Sequence, residues 1–162
     1  MDHYHTGMRL VDYTTDNGFL PHIKCASVDE AVGRLVAELE TTGAVTNGSS
    51  LVAEVMRRER EGSTAIGGGL VIPHARHTGV KSVKVALATL AKPLDIPAED
   101  DRPVDIVILL VGPQDDPRLM LWVLARLARL VKSSAFLNDL RAATTSEELQ
   151  KVFLEADTQN SQ

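Results

Sequence analysis

The sequence contains one cysteine, one tryptophan and only 4% aromatic residues in 162 positions. A lone cysteine, Cys25, makes no intrachain disulfide and no cysteine-ligated zinc site, so neither device can stand in for a hydrophobic core. The scarcity of rings leaves the interior to aliphatic side chains and argues against a surface that stacks nucleobases. Basic residues are also in deficit, with 17 Lys and Arg against 22 Asp and Glu and a net charge of −5. No basic stripe tracks a phosphate backbone, so nucleic acid is not an expected partner. Long apolar runs are missing too. Even the longest, Leu119 to Ala125, falls far short of the ~20 residues that cross a bilayer. Met1 to Ile23 has no charged n-region leading into an apolar stretch, so no secretory signal is predicted. The chain reads as soluble and cytoplasmic, without direct membrane insertion.

What remains is ordinary in amount and informative in pattern. Hydrophobic residues make up 44% and charged residues 24%, and the length suits one domain with a real core. Met1 to Asn17 is polar and patternless and reads as an arm, and Ala156 to Gln162 as a polar tail, leaving a domain over 18–155. His3 and His5 sit on that arm, where nothing fixes a metal-binding geometry. Gly18 to Cys25 suits a short strand carrying a buried thiol. Ser27-Val28-Asp29-Glu30 is a capping box. Val28, Ala31, Val32, Leu35, Val36 and Leu39 follow at helical spacing, and Gly43 ends the run. A second helix is expected to be capped at Ser49 or Ser50 and to end among Arg57, Arg58 and Arg60.

Leu70 to Ile72 and Val83 to Leu90 read as strands. Val104 to Val111 reads as a strand buried on both faces. Asp116-Pro117 opens a long helix to about Lys132, with aspartate at the cap and proline at the first helical position. A short helix is expected over Phe136 to Leu140, and Thr145-Ser146-Glu147-Glu148 is a second capping box. The order β, α, α, β, β, β, α, α, α predicts a single α/β domain with a central mixed sheet flanked by helices.

The chemistry concentrates in one segment. Three glycines, 67 to 69, precede Leu70-Val71-Ile72-Pro73, and His74 comes next. Proline fixes its own φ and pushes Ile72 into an extended conformation, so His74 is held stiffly at a strand end. At neutral pH a free imidazole is mostly the nucleophilic base. Upstream lie Arg58, sixteen positions before His74, and the hydroxyls of Ser63 and Thr64. A guanidinium fork, hydroxyls and the backbone N–H groups of Gly67 and Gly68 can share the oxygens of a phosphoryl group. A surface turn beside solvated arginines accounts for the same residues without any chemistry.

Other motifs are excluded or weaker. The glycine run lacks the lysine and spacing of a P-loop, and no G-x-G-x-x-G opens a helix. His74-x-x-His77 offers two metal ligands but no third, and no serine occupies a G-x-S-x-G elbow.

The segment RREREGSTAIGGGLVIPHARH, taken whole, resembles the active-site signature of enzyme IIA domains of the phosphoenolpyruvate-dependent sugar phosphotransferase system. The class is that of fructose and mannitol, including its nitrogen-regulatory members. Arg58-Glu59, Ser63-Thr64, Gly67 to Gly69 and Ile72-Pro73-His74 match the signature at its spacing. The similarity continues through PLDIPAEDDRPVDIVILLVGP and LARLARLVKSSAFLNDLRAATTSEELQKVF, from about Gly18 to Glu155. It implies a phosphotransferase component in which His74 accepts a phosphoryl group from HPr or a nitrogen-branch paralogue. His74 then passes it to an enzyme IIB domain, with Arg58 stabilising the phosphate and no cofactor required. A regulatory binding module, switched by the phosphorylation of His74, is the alternative that the same resemblance allows. One departure stands out. The family's second active-site histidine falls where this chain has Met120, and no histidine occurs from Thr78 onward. His77 is the nearest imidazole that could assist, and an ordinary loop histidine is the other reading of it.

Overall fold

The structure is a computed structural model that describes residues 9–160. His3 and His5 lie outside the described residues. The chain forms β1 (Phe19–Ile23), α1 (Val28–Thr41), α2 (Gly48–Glu61), β2 (Leu70–Val71) and β3 (His74–His77). It continues with β4 (Lys84–Leu94), β5 (Val104–Pro113), α3 (Pro117–Leu130), α4 (Ser134–Ala142) and α5 (Ser146–Asn160).

The sheet is mixed. β1 runs parallel to β4, β4 antiparallel to β5, and both β2 and β3 run parallel to β5 along its other edge. β2 and β3 lie end to end, with Leu70 opposite Ile106 and His74 opposite Leu110. The interruption between them is Ile72-Pro73, where proline offers no N–H but its carbonyl still accepts the N–H of Leu110 at 3.0 Å.

Period-two alternation along β5 explains its uninterrupted aliphatic sequence. Ile106, Ile108 and Leu110 pack toward α3, α4 and α5, whereas Val107, Leu109 and Val111 pack toward α1 and α2. β4 repeats the division with unequal sizes, Val85 and Leu87 on the first side against Ala86 and Ala88 on the second. All three phenylalanines of the sequence belong to the α3–α5 side. Phe19 and Phe136 approach the Phe153 ring with centroids 5.7 and 6.4 Å away. The buried cluster of the other layer contains no aromatic ring among the described residues.

The expected caps at Ser27, Asp116 and Thr145 accept the N–H groups of Glu30, Leu119 and Glu148. The start of α2 differs from expectation. Helix begins at Gly48 after Asn47, a left-handed residue with φ 54°, and the Glu40 side chain rather than a serine takes the Gly48 N–H. Asparagine tolerates that conformation better than most residues, and the chain turns there without a hydroxyl cap.

The ordered body also extends beyond 18–155 at both ends. Leu10 and Tyr13 of a short 3-10 turn, Leu10–Tyr13, are buried in the core, although four residues are too few to show a period. α5 runs on through Asp157, whose buried carboxylate meets Arg126 of α3 at 3.1 Å and accepts the N–H of Val11. Cys25 lies in the connection after β1 and is half-buried, with burial pushing its thiol pKa up.

Candidate functional site

His74 opens β3, and the backbone before it determines which ring nitrogen is reactive. Nδ1 lies 2.7 Å from the carbonyl oxygen of Ile72. A carbonyl only accepts, so Nδ1 carries the proton and the neutral ring keeps its lone pair on Nε2. Half-buried, the imidazole lines a cavity of about 440 Å³ with Arg57, Arg58, Glu59, Glu61, Gly62 and Thr64. The wall opposite His74 is thus the C-terminal end of α2 and the turn that follows it.

Charge on that wall is arranged by α2 itself. Glu54, one turn back, accepts from Arg57 through Nε and Nη2, both at 3.0 Å, and from Arg58 through Nε at 3.2 Å. Bonding to Arg57, reinforced by Arg58, holds the Glu54 carboxyl down at about 2. Glu61 takes Nη1 of Arg57. Arg57 is therefore clasped on both sides, whereas Arg58 is held by Nε alone, leaving its Nη1 and Nη2 edge to a ligand. Arg58 was expected here from the sequence and lines the cavity; Glu54, which holds it, was not expected. The signal was present as opposite charges three and four positions apart, the spacing that makes neighbours on a helix surface.

The remaining residues expected at the site divide. Thr64 lines the cavity, but its hydroxyl donates to Glu59 at 2.9 Å and accepts the N–H of Ile72 at 2.9 Å. Ser63 accepts the N–H of Ala65 and borders a separate groove with Ser27, Asp29 and Asp95. Gly67 and Gly68 adopt φ values of 106° and 73° in the turn before β2. The N–H of Gly68 donates to Asp100 at 2.9 Å and its carbonyl accepts from Arg141, itself paired with Asp105. The Gly68 N–H, with that of Arg102 at 3.1 Å, lowers the Asp100 pKa. This glycine turn thus forms a structural clamp at the far end of β2 from His74, outside the cavity.

His77 is also placed apart from His74. Ala75 between them packs into the cluster of α1 and α2, and His77 meets Ser50 in the first turn of α2, at the opposite end of that helix from Arg58. Nδ1 of His77 accepts the N–H of Gly79 at 2.9 Å, so the neutral ring is protonated on Nε2 and donates to Ser50 at 3.0 Å. Both nitrogens are occupied. Met120 is buried, its sulfur packed so near Gly112 that a Cβ there would stand 2.8 Å from it. Gly112 is the register partner of Arg76, whose guanidinium donates to the carbonyl of Gln114. Among the described residues no three His, Cys, Asp or Glu side chains gather as a metal site, and no helix is long and apolar enough to cross a membrane.

The family model for the phosphoenolpyruvate-dependent sugar phosphotransferase system, EIIA 2, matches residues 13–156. The chain belongs to this family. A nitrogen regulatory protein of Bradyrhizobium diazoefficiens is 32% identical over 146 residues, covering 90% of this chain and 94% of that one. The fold matches the crystal structure of nitrogen regulatory protein IIA-Ntr from Neisseria meningitidis with a TM-score of 0.78. That match has 24% identity and covers 88% and 97% of the two chains. It also matches the structure of a complex of enzyme IIA mannitol and phosphorylated enzyme IIB mannitol from Escherichia coli. There the TM-score is 0.70 at 17% identity, over 87% and 96% of the chains. As an EIIA-2 member the chain is a phosphotransferase-system component, and its mixed sheet between two helical layers is the fold of these structures.

Proposed function

We propose that the protein is a phosphohistidine carrier of the phosphotransferase system acting in the cytoplasm, with His74 as phosphoacceptor. The observation that carries this reading is the pinned tautomer, Nδ1–H on the Ile72 carbonyl, which leaves Nε2 as the basic nitrogen of a ring that shares its cavity with Arg58. Nε2 attacks the phosphorus of a phosphohistidine on an HPr-like donor or a nitrogen-branch paralogue. The new N–P bond forms as the donor N–P bond breaks, and the donor imidazole leaves with the electron pair. His74 keeps its Nδ1 proton throughout, and the Ile72 carbonyl stabilises the positive ring. Arg58 balances charge on the equatorial oxygens, where positioning and electrostatics carry most of the catalysis. The second transfer sends the phosphoryl group to a cysteine thiolate of an enzyme IIB domain, in keeping with the complex of a family neighbour with phosphorylated enzyme IIB.

A regulatory role is the second reading, favoured by the nitrogen regulatory relatives and by Met120 in place of a second imidazole. In that role the phosphorylation state of His74 switches contacts with a target protein, because phosphorylation adds roughly 1.5 to 2 negative charges.

Labelled phosphoenolpyruvate, enzyme I and HPr or its nitrogen-branch paralogue test the carrier. Acid-labile label should appear on wild type and vanish in His74→Ala. Onward transfer to an enzyme IIB domain supports sugar transport. Label that stays on the protein while changing its affinity for a target supports regulation. No label from either donor overturns the carrier reading.

A further inference from the structure

An unbroken set of hydrogen bonds runs from α2 to the imidazole of His74. Glu59 accepts the backbone N–H of Thr64 at 2.8 Å and its hydroxyl proton at 2.9 Å. Thr64 Oγ1 accepts the N–H of Ile72 at 2.9 Å, and the Ile72 carbonyl accepts Nδ1–H of His74 at 2.7 Å. A hydroxyl has a single proton. Thr64 has given its own to a carboxylate and has none left for a phosphoryl oxygen, although it lines the cavity. Glu59 lines the same cavity with a charge that would repel phosphate, yet its oxygens are turned onto Thr64. Neither side chain is arranged as a phosphate ligand.

Both are arranged to fix one residue of backbone. Ile72 is held by its N–H on Thr64. The following Pro73 restricts its ψ and is itself anchored to β5 through Leu110. Its carbonyl therefore has one direction, and that direction selects the proton position on His74. We propose that Glu59 and Thr64 are positioning residues that hold His74 in the Nδ1–H tautomer, so that Nε2 is the nucleophile. This rests on His74 being the phosphoacceptor, but it concerns the ring before any phosphoryl group arrives. It can therefore be tested apart from transfer.

The measurement is nitrogen-15 NMR of the His74 ring in the full chain, at alkaline pH where imidazoles are neutral. Phosphoryl transfer from HPr is followed on the same samples. Wild type and Thr64→Ser should show one tautomer, with the proton on Nδ1. Thr64→Val keeps the shape and loses the hydroxyl. It should bring a substantial Nε2–H population and slow the labelling of His74 about tenfold to a hundredfold, the range seen when a group that orients a metal-ligating histidine is removed. Glu59→Gln, which keeps the size of the side chain but turns an amide donor toward Thr64, should move both readouts the same way. It serves as the second variant if Thr64→Val fails to fold. A folded variant that retains pure Nδ1–H and normal labelling overturns the proposal, as does a wild-type ring already of mixed tautomer. If tautomers shift as stated while no sample accepts label, the positioning stands and the carrier reading falls.

Discussion

Glu54 binds Arg57 and Arg58 simultaneously, through both of its carboxylate oxygens, and so sets the orientation of the guanidinium facing His74. Its carboxyl lies at about 2, below the ordinary 4.5. A group lowered on folding stabilises the folded state above its ordinary range, and the effect fades as pH falls toward the lowered value. An NMR titration of the Glu54 carboxyl should therefore give a midpoint near 2. Glu54→Gln should raise the apparent Km for the phosphorylated donor severalfold by freeing Arg58. It should change stability by no more than about 1 kcal/mol, as expected for a partly exposed pair.

His77 should prove dispensable for transfer. His77→Ala removes the bonds to Ser50 and Gly79, at a cost of about 1–2 kcal/mol for two modest hydrogen bonds. Label from HPr should still reach His74 at close to the wild-type rate. A loss of label comparable with that of His74→Ala would show that His77 takes part.

Asp157 should be among the most sensitive positions remote from the site. It is 1% exposed and shared between Arg126 and the N–H of Val11. Asp157→Ala leaves Arg126 without its carboxylate, and breaking a buried pair costs about 3–5 kcal/mol. Urea unfolding should register that loss, and backbone exchange around Val11 should accelerate in the folded state.

Gly69 reports on the clamp behind β2. Its φ is 79°, and a Cβ there would meet Arg141 at 2.5 Å, Asp105 at 2.9 Å and the Pro103 carbonyl at 3.2 Å. Gly69→Ala carries about 1–2 kcal/mol for the left-handed conformation alone. Displacing the Arg141–Asp105 pair adds to it. Thermal unfolding should show the full penalty, and His74 in the surviving folded fraction should remain competent.

The fold was legible wherever periodicity or a cap marked it. β5 announced itself through six consecutive apolar residues, and Ser27, Asp116 and Thr145 through their capping spacing. β3 was not announced, because His-Ala-Arg-His has almost no apolar content and earns its place as a strand only through pairing with β5. At the site, His74 and Arg58 were singled out by the segment's resemblance to the enzyme IIA signature, and the fold sets both on one cavity. The division between Thr64, which lines the cavity, and Ser63 and Gly68, which do not, depends on backbone direction over a few residues. Residue types do not encode that direction. Nor could the sequence show that Thr64 spends its only proton on Glu59.

Trp122 is the single indole of the chain, edge-on to Tyr13 at 6.2 Å and beneath the Arg126 guanidinium at 5.5 Å. Its fluorescence is consequently an optical gauge of one helical layer. It follows the seating of the Leu10–Tyr13 turn on α3, while the aliphatic half that carries Arg58 contributes no signal. An emission-based melting curve would thus track the wall remote from α2, and only a probe placed on α2 would tell whether the two layers come apart together.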